Sequence, residues 1–509
     1  MSQPCHAVRP EVGPYLLRQT IDNAKNTYVA PCKDASFFAG LCAGGAGGAA
    51  KMKICMDYQP AVQQGAGVGR YTRALAEALG GMLAPEDSLE LFYYDFKRNV
   101  ATPNFGANAD AGVNISAGAG ADAGVNTSAG ADGGVNTSAG ADADGGGVRT
   151  LPRARDGVST GGGGAAGGGG AGGGRVETRP FRLLPGRVAE AAMARFGAPA
   201  FDLLAGAADV FHFTNFIAKP LRRGHGKSVA TVHDMSFARF PEFAEARNLR
   251  HLGRGIRRTA ENADIILTVS EFSRREIEEL MPETRGRARA ALLGISEVFM
   301  PAAPAEVEAV KMRLGLERPF VLTVGTVEPR KNLPFLAAVF ERLAPLGVDL
   351  VVAGAPGWKC EPIFARFAEA EARFPGRFHY LRFVPDGMLG ALYSAASLFA
   401  IASFYEGFGF PPLEAMACGA PVLSSDGGSL PEVLGGGDCG GGGGGGGAAR
   451  VMRGFDADEW AGAAMEIIQA PPDVRLRMSA AGQARAAEFR WRKCAGQTLA
   501  AYREACEAK

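Results

Sequence analysis

The sequence predicts an α/β protein made of two domains, each with a parallel β-sheet covered by helices. Two glycine-rich tracts, 101–175 and 435–449, hold 35 of the 72 glycines, and such tracts cannot bury enough apolar surface to fold. Without them and residues 1–50, about 370 residues remain, which suits two domains better than one. Short apolar runs alternate there with helical patterns, and the alternation restarts after a proline-containing segment.

The first domain, predicted over 51–300, opens with a strand, a glycine loop, a helix and a second strand, as in a parallel βαβ unit. After the low-complexity tract 101–175, interpreted as a disordered insertion, the alternation resumes. The strands are short apolar runs, as expected for a sheet covered on both faces. The predicted strands are 53–58, 89–95, 209–215, 228–234 and 264–270, and the predicted helices are 71–79, 244–263 and 273–281.

Pro301 and Pro304 mark a linker into the second domain, predicted over 301–485 with a glycine-rich loop at 435–449. Its predicted strands are 320–326, 349–355, 378–384 and 398–403, and its helices include 361–373 and one that begins near Asp456. Residues 475–508 are nearly all strong helix formers. The segment 486–509 is therefore predicted to be a C-terminal helix, and residues 1–50 a disordered N-terminal extension.

Composition excludes several classes of protein. A formal net charge of +1 gives no general attraction to nucleic acid. The nine cysteines are odd in number and lack C-x-x-C spacing, which favours reduced thiols over disulfides or zinc ligands. The sequence has no apolar run of the roughly 18 to 20 residues that span a bilayer, and residues 1–50 lack the order of a signal peptide. We therefore expect a cytoplasmic protein with no nucleic-acid partner.

The most informative stretch follows the predicted strand 398–403. It reads Glu406-Gly407-Phe408-Gly409-Phe410-Pro411-Pro412-Leu413-Glu414, a glycine turn followed by prolines that suit the first turn of a helix. Such a helix start directs backbone N–H groups at an anion, and carboxylates accept hydrogen bonds from sugar and ribose hydroxyls. The alternative, two glutamates on a helix surface, does not account for the glycines and prolines around them.

This stretch resembles glycosyltransferase family 4, retaining enzymes that use nucleotide sugars and have the GT-B architecture of two facing Rossmann-like domains. The resemblance covers about 52–100 and 176–505. It implies that Glu406 and Glu414, the ends of the family's E-x7-E motif, face the transferred sugar and the nucleotide ribose. It also implies that the amides of Phe408, Gly409 and Phe410 hold the diphosphate and sugar. The acceptor would then bind the N-terminal domain, on which the C-terminal helix would pack.

A second signature is Val324-Gly325-Thr326-Val327-Glu328-Pro329-Arg330-Lys331-Asn332, which leaves a predicted strand. Arg330 and Lys331 lie at the sheet edge where open α/β sheets bind ligands, so they can neutralise a diphosphate leaving group; an exposed cationic pair is the alternative. The family often has another Arg where Thr326 stands, and Thr326 is typical of its mannosyltransferase-like branch. That resemblance favours mannose and GDP-mannose.

Further candidates lie at other predicted strand ends. Gly67 and Gly69 belong to a glycine loop that resembles the family's phosphate-contacting G-x-G-R-Y loop, although a lone glycine loop fits any nucleotide fold. His233 ends the strand before Asp234, where the family places a histidine beside the donor sugar; a core histidine is the alternative. His212 has an even balance between the two interpretations. Val384, at the end of the strand 378–384, completes the donor-binding set.

We expect neither a metal nor another cofactor. The sequence has two Asp-x-Asp motifs. The one at 142–144 lies in the insertion and the one at 456–458 lies at a helix start, so neither is on a cleft loop. Arg330, Lys331 and the helix start after Gly409 would supply the positive charge instead. Several arginines lie on one face of the predicted helix 244–263. That face is either simply solvated or contacts anionic lipid, so peripheral membrane contact is a hypothesis. The arginines are Arg247, Arg250, Arg254, Arg257 and Arg258.

The predicted function is retaining transfer of a hexose from a nucleoside-diphosphate sugar to a hydroxyl of a glycan or lipid-linked acceptor. Two alternatives remain open. A GT-B epimerase or phosphorylase would share the architecture. A scaffold without activity is the other alternative. In the family a loop and a strand normally follow residues 429–433, and Gly435–Gly447 replaces them here, which would impair activity if that segment shapes the donor site.

Overall fold

The computed structural model describes residues 51–65, 67–98, 100, 174–435 and 447–508, all within one compact unit, Lys51–Lys509. The predicted extension 1–50, residues 101–173 of the predicted insertion, and residues 436–446 of the glycine-rich loop lie outside the described residues. Arg175, the last residue assigned to the insertion, instead begins a strand.

The first half of the described chain forms a parallel sheet of seven strands with the order β3-β2-β1-β4-β5-β6-β7. Its strands are β1 (Lys53–Asp57), β2 (Ser88–Tyr94), β3 (Arg175–Phe181), β4 (Val210–Phe213), β5 (Lys227–Val232), β6 (Ile265–Thr268) and β7 (Ala288–Ala290). Its helices are α1 (Gln59–Gln63), α2 (Val68–Gly80), α3 (Gly186–Phe196), α4 (Phe201–Ala205), α5 (Ser236–Arg239), α6 (Ala246–Asn262) and α7 (Glu271–Leu280).

The second half forms a parallel sheet of six strands with the order β10-β9-β8-β11-β12-β13. Its strands are β8 (Phe320–Val324), β9 (Asp349–Ala353), β10 (Phe378–Leu381), β11 (Leu398–Ile401), β12 (Val422–Ser425) and β13 (Arg450–Met452). The helices are α8 (Pro304–Leu314), α9 (Leu333–Leu343), α10 (Glu361–Arg373), α11 (Asp386–Ala395), α12 (Phe410–Ala417), α13 (Leu430–Leu434), α14 (Ala457–Ile468), α15 (Pro472–Ala486) and α16 (Trp491–Glu507). The predicted fold class, two parallel-sheet α/β domains, is confirmed.

Buried side chains alternate between the two faces of each sheet. In β8, Leu322 belongs to a large core that continues from one domain into the other, whereas Val321 packs with Trp460 behind the second sheet. In β1, Ile54 joins the shared core and Cys55 the core behind the first sheet. This period of two explains why the strands are apolar along their whole length.

The helix-forming sequence 475–508 belongs to two helices, and the second of them, α16, lies within the predicted C-terminal helix 486–509. α15 ends at Ala486, and α16 starts at Trp491 and packs against α2, β4, β5 and β6 of the first domain. On its buried face, Cys494, Thr498 and Tyr502 are each fully inaccessible to solvent. Within the described part of the chain, the helices fall short of the length and apolar character that a membrane span requires.

Candidate functional site

Glu406 is a buried carboxylate on the loop between β11 and α12, and two cations converge on it. The Arg330 guanidinium donates to its Oε2 at 2.8 Å, and the Lys331 ammonium donates to its Oε1 at 2.5 Å. The Ser403 hydroxyl adds a third hydrogen bond, 2.6 Å long. Glu406 is thus joined to Lys331 and Arg330, which lie 75 and 76 positions earlier in the sequence, at the carboxyl edge of the second sheet.

The charges of this cluster are mutually stabilised. Burial alone would raise the pKa of Glu406, but Arg330 and Lys331 outweigh that effect and lower the pKa to about 2. Burial likewise opposes ionisation of Arg330, and the carboxylates of Glu406 and Glu328 raise its pKa above the ordinary value. Arg330 also donates to Glu328 and to the Tyr405 carbonyl, each at 2.6 Å. The site therefore holds two fixed cations whose charge is partly balanced by Glu406.

Backbone contacts hold the two loops together. Arg330 and Lys331 lie in a single 3-10 turn, Pro329–Lys331, that follows β8. The Phe404 amide donates to the Arg330 carbonyl at 2.9 Å, so the cationic loop and the Glu406 loop are bonded backbone to backbone. The position of the cations is set by the sheet edge, which is the prerequisite for a preorganised anion site.

The Glu406 loop lies against the first domain beside His233. A Cβ on Gly407 would be 2.3 Å from the His233 carbonyl oxygen, so only glycine fits there. Ser270, whose side chain caps α7 by accepting from the Ser273 amide, donates to the Gly407 carbonyl at 2.8 Å. His233, directly after β5, and Gly407, on the loop after β11, thus meet where the carboxyl edges of the two sheets approach each other, a region termed the cleft.

The protonation state of His233 follows from its contacts. Burial lowers its pKa, although the Thr214 carbonyl and Asp234 oppose that shift. The ring Nε2 lies 2.9 Å from the Thr214 carbonyl oxygen, which can only accept. In the neutral ring Nε2 therefore carries the proton, and Nδ1 is the acceptor.

Glu414 has a partner that sequence reasoning missed. It is buried in α12, where its Oε2 accepts from the Tyr393 hydroxyl at 2.9 Å and its Oε1 pairs with the guanidinium of Arg70. Arg70 belongs to α2 of the first domain, directly after Gly69. The ion pair connects residues 344 positions apart across the cleft. Its only sequence signal is the arginine that ends the glycine loop.

The remaining predicted residues occupy several places around the cleft. Gly67 is the N-cap of α2, and the space beside Gly69 is filled by the Gln64 carbonyl oxygen, 2.0 Å from where a Cβ would lie. Gly409 is the N-cap of α12 with φ 100°, which favours glycine. Phe408 is buried and packs edge-on against Phe410. Val384 lies beyond β10, which ends at Leu381 rather than at 384.

His212 lies away from the cleft, fully buried and hydrogen-bonded to Tyr502 of α16.

Asp456 caps α14, where its carboxylate accepts from the amides of Asp458 and Glu459. In the described ranges no group of three or more His, Cys, Asp or Glu side chains could hold a metal ion. The Asp-x-Asp motif at Asp142–Asp144 lies outside those ranges.

Substitution of Gly407 by Ala is expected to lower turnover of a nucleotide sugar at least about tenfold, because the new methyl group must push the Glu406 loop away from His233. The matched control is Gly462→Ala in α14, where a Cβ meets nothing within 4 Å; the control should gain about 0.5–1 kcal/mol of stability. Steady-state turnover and thermal melting measure both effects. Equal turnover in the two variants would contradict the close approach.

Comparison with known proteins shows which family and which fold the chain resembles. Residues 306–485 match the family described as "Glycosyl transferases group 1". The chain is 33% identical over 300 residues to O-antigen chain mannosyltransferase B of Escherichia coli, covering 58% of this chain and 74% of that protein. It is 32% identical over 181 residues to a serotype-specific mannosyltransferase of Escherichia coli, covering 34% of this chain and 22% of that one. In fold it is similar to sucrose-phosphate synthase from Thermosynechococcus elongatus, with a TM-score of 0.58, 17% identity, and coverage of 89% of this chain and 99% of that one.

The two parallel-sheet domains have the GT-B fold. More narrowly, the chain belongs to the group 1 glycosyl transferases and is of the type of glycosyltransferase family 4.

Proposed function

We propose that this glycosyltransferase moves mannose from GDP-mannose to a hydroxyl of a glycan or lipid-linked acceptor, with retention of configuration and without a metal ion. The observation that carries the proposal is the convergence of Arg330 and Lys331 on Glu406 beside His233. Two half-buried cations at the carboxyl edge of a parallel sheet suit a diphosphate, and the adjacent carboxylate suits a sugar hydroxyl.

In the proposed reaction the bond between the sugar C1 and the diphosphate oxygen breaks, and the leaving diphosphate takes up the electron pair. Arg330, Lys331 and the start of α12 neutralise the charge that develops on it. The acceptor hydroxyl attacks C1 from the same face, and its proton passes to a diphosphate oxygen. Glu406 and the neutral His233 orient the sugar, since both offer hydrogen-bond acceptors, the carboxylate oxygens and Nδ1.

The choice of mannose rests on two observations. Thr326 stands after Gly325, as in the mannosyltransferase-like branch, and both Escherichia coli relatives are named mannosyltransferases. The nucleotide and the acceptor are inferred from the same resemblance.

The direct test is a panel of GDP- and UDP-sugars, with slow donor hydrolysis as the readout, each measured with and without EDTA. We expect hydrolysis of GDP-mannose alone, unchanged by EDTA, and release of α-mannose as the first anomer detected by proton NMR. Hydrolysis of a UDP-sugar only would overturn the donor, and loss of turnover with EDTA would overturn the metal-free mechanism. Absence of both turnover and donor binding by calorimetry would favour the scaffold without activity.

Peripheral membrane contact is proposed for the exposed basic face of α6, formed by Arg247, Arg250, Arg254, Arg257 and Arg258. Replacing Arg250, Arg254 and Arg257 by Gln should reduce pelleting with phosphatidylglycerol vesicles at low salt, by roughly 1 kcal/mol of binding for each charge. The control removes three exposed cations elsewhere, Arg313, Arg492 and Lys493. Equal pelleting of both variants and the wild type would contradict the proposed contact.

A further inference from the structure

A chain of buried polar side chains runs from the last helix towards the cleft. The Tyr502 hydroxyl of α16 lies 2.6 Å from Nδ1 of His212 in β4. Nε2 of His212 lies 2.8 Å from the hydroxyl of Thr231 in β5, and that hydroxyl lies 2.9 Å from the hydroxyl of Tyr71 in α2. Three hydrogen bonds therefore connect four elements that are far apart in the sequence.

Burial makes these bonds hard to exchange for water. Tyr502 and His212 are 0% exposed, Thr231 is 1% exposed and Tyr71 is 3% exposed. Burial lowers the pKa of His212 to about 3, so its ring is neutral, with one nitrogen that donates and one that accepts. Both nitrogens have a partner only while Tyr502 and Thr231 are in place. Removing one partner leaves a buried polar atom unsatisfied, which is costly and shifts its neighbours.

The chain ends on the ring of His233. Tyr71 meets His233 edge to face, with 4.9 Å between centroids and an interplanar angle of 85°. Phe216 contacts His233 at 5.5 Å between centroids, and the Thr214 carbonyl holds its Nε2. The ring of Tyr71 is thus one wall of the space that fixes the orientation of His233. In such a space a change in Tyr71 is passed to the imidazole.

α16 also touches Tyr71 directly. Trp491, the first residue of α16, lies 6.3 Å from the Tyr71 ring and 6.3 Å from the ring of Phe410 at the start of α12. The helix therefore fixes Tyr71 from two points, through the Trp491 ring and through the hydrogen bonds that begin at Tyr502.

We infer that Tyr502 is a positioning residue of the transfer reaction, which acts on His233 through His212, Thr231 and Tyr71. The inference rests on the proposed role of His233 at the sugar. It assigns a part in catalysis to a residue on the last helix, outside the cleft.

The test compares Tyr502→Phe with Thr498→Val, measuring kcat and KM for the donor. Thr498 lies one turn earlier on α16 and is equally buried, and its hydroxyl bonds to Cys494 of its own helix rather than to the His212 network. Tyr502→Phe should lower kcat about threefold to tenfold with KM for the donor nearly unchanged, because orientation rather than binding is lost. It should also move the ring ¹⁵N signals of His233 in protein with labelled histidine. A kcat equal to that of Thr498→Val, with unmoved His233 signals, would overturn the inference.

Thr231→Val interrupts the same chain at its centre and serves if Tyr502→Phe does not fold. The double variant with Tyr502→Phe and Thr231→Val should be no slower than the slower single variant, since both substitutions break the same chain of hydrogen bonds. Losses of kcat that multiply independently would overturn the inference.

His233→Gln separates the two proposals. If its turnover is unchanged, the proposed role of His233 fails; if His233→Gln is impaired and Tyr502→Phe is not, the positioning inference alone fails.

Discussion

Replacing Glu406 by Gln is expected to lower donor turnover by a factor on the order of 10² to 10³ while binding of GDP stays intact or tightens. The amide keeps the shape of the side chain but presents an N–H₂ group to Arg330 or Lys331. Because those cations also can only donate, one of the two hydrogen bonds is lost. In the proposed reaction the sugar then loses its charged hydrogen-bond acceptor. The two cations lose the carboxylate that neutralises them in the donor-free protein, so their attraction for a diphosphate grows.

Glu341→Gln is the matched control. Glu341 in α9 is also a largely buried carboxylate held by two cations, Arg366 at 2.8 Å and Arg373 at 3.3 Å, but it lies between α9 and α10 rather than at the sheet edge. Steady-state kinetics and calorimetric titration with GDP measure the two expected effects. A Glu406→Gln variant that keeps turnover but loses GDP affinity would reverse the assignment and place the carboxylate at the nucleotide.

The fold was predictable from sequence for most strands that are apolar on both faces, although β12, whose Val422 and Leu423 lie in different cores, was missed. β1, β5, β6, β8 and β9 stand out as short apolar runs because both faces of each strand are covered. β3 was missed: it is an edge strand, and its sequence RVETRPF carries three charges on exposed or half-exposed positions. β7 and β13 have three residues each, which is too short for the alternating pattern of a strand to be recognised in the sequence.

The candidate site was predictable in its local parts and not in its long-range ones. Motif order placed Arg330, Lys331 and Glu406 at one sheet edge, and the structure joins them. That the cations bind Glu406 itself could not be read from spacing, because it depends on how two loops fold against each other. Arg70 with Glu414, and Tyr502 with His212, depend on the packing of domains and of α16, for which a single sequence carries no periodic signal.

Arg330→Met should be the most damaging single change, because Arg330 serves two buried carboxylates as well as the proposed leaving group. We expect turnover to fall by about 10² to 10³ with a raised KM for the donor. We also expect a loss of unfolding free energy of about 3 kcal/mol, since Glu328, 2% exposed, loses the guanidinium that donates to it at 2.6 Å. Kinetics with the donor and urea unfolding give the two values.

Two further variants separate the functions of Arg330. The Lys331 ammonium pairs with Glu406, whereas the Glu328 carboxylate pairs with Arg330, so Lys331→Met should lose comparable turnover with a smaller loss of stability. Arg342→Met breaks an exposed pair with Asp458 in the same domain and should leave both stability and turnover nearly unchanged. If Arg330→Met lost stability yet kept its turnover, the guanidinium would be a support for Glu328 alone, and Lys331 and the α12 helix start would carry the diphosphate. The ratio of the two losses therefore measures how the positive charge of this site is divided between structure and catalysis.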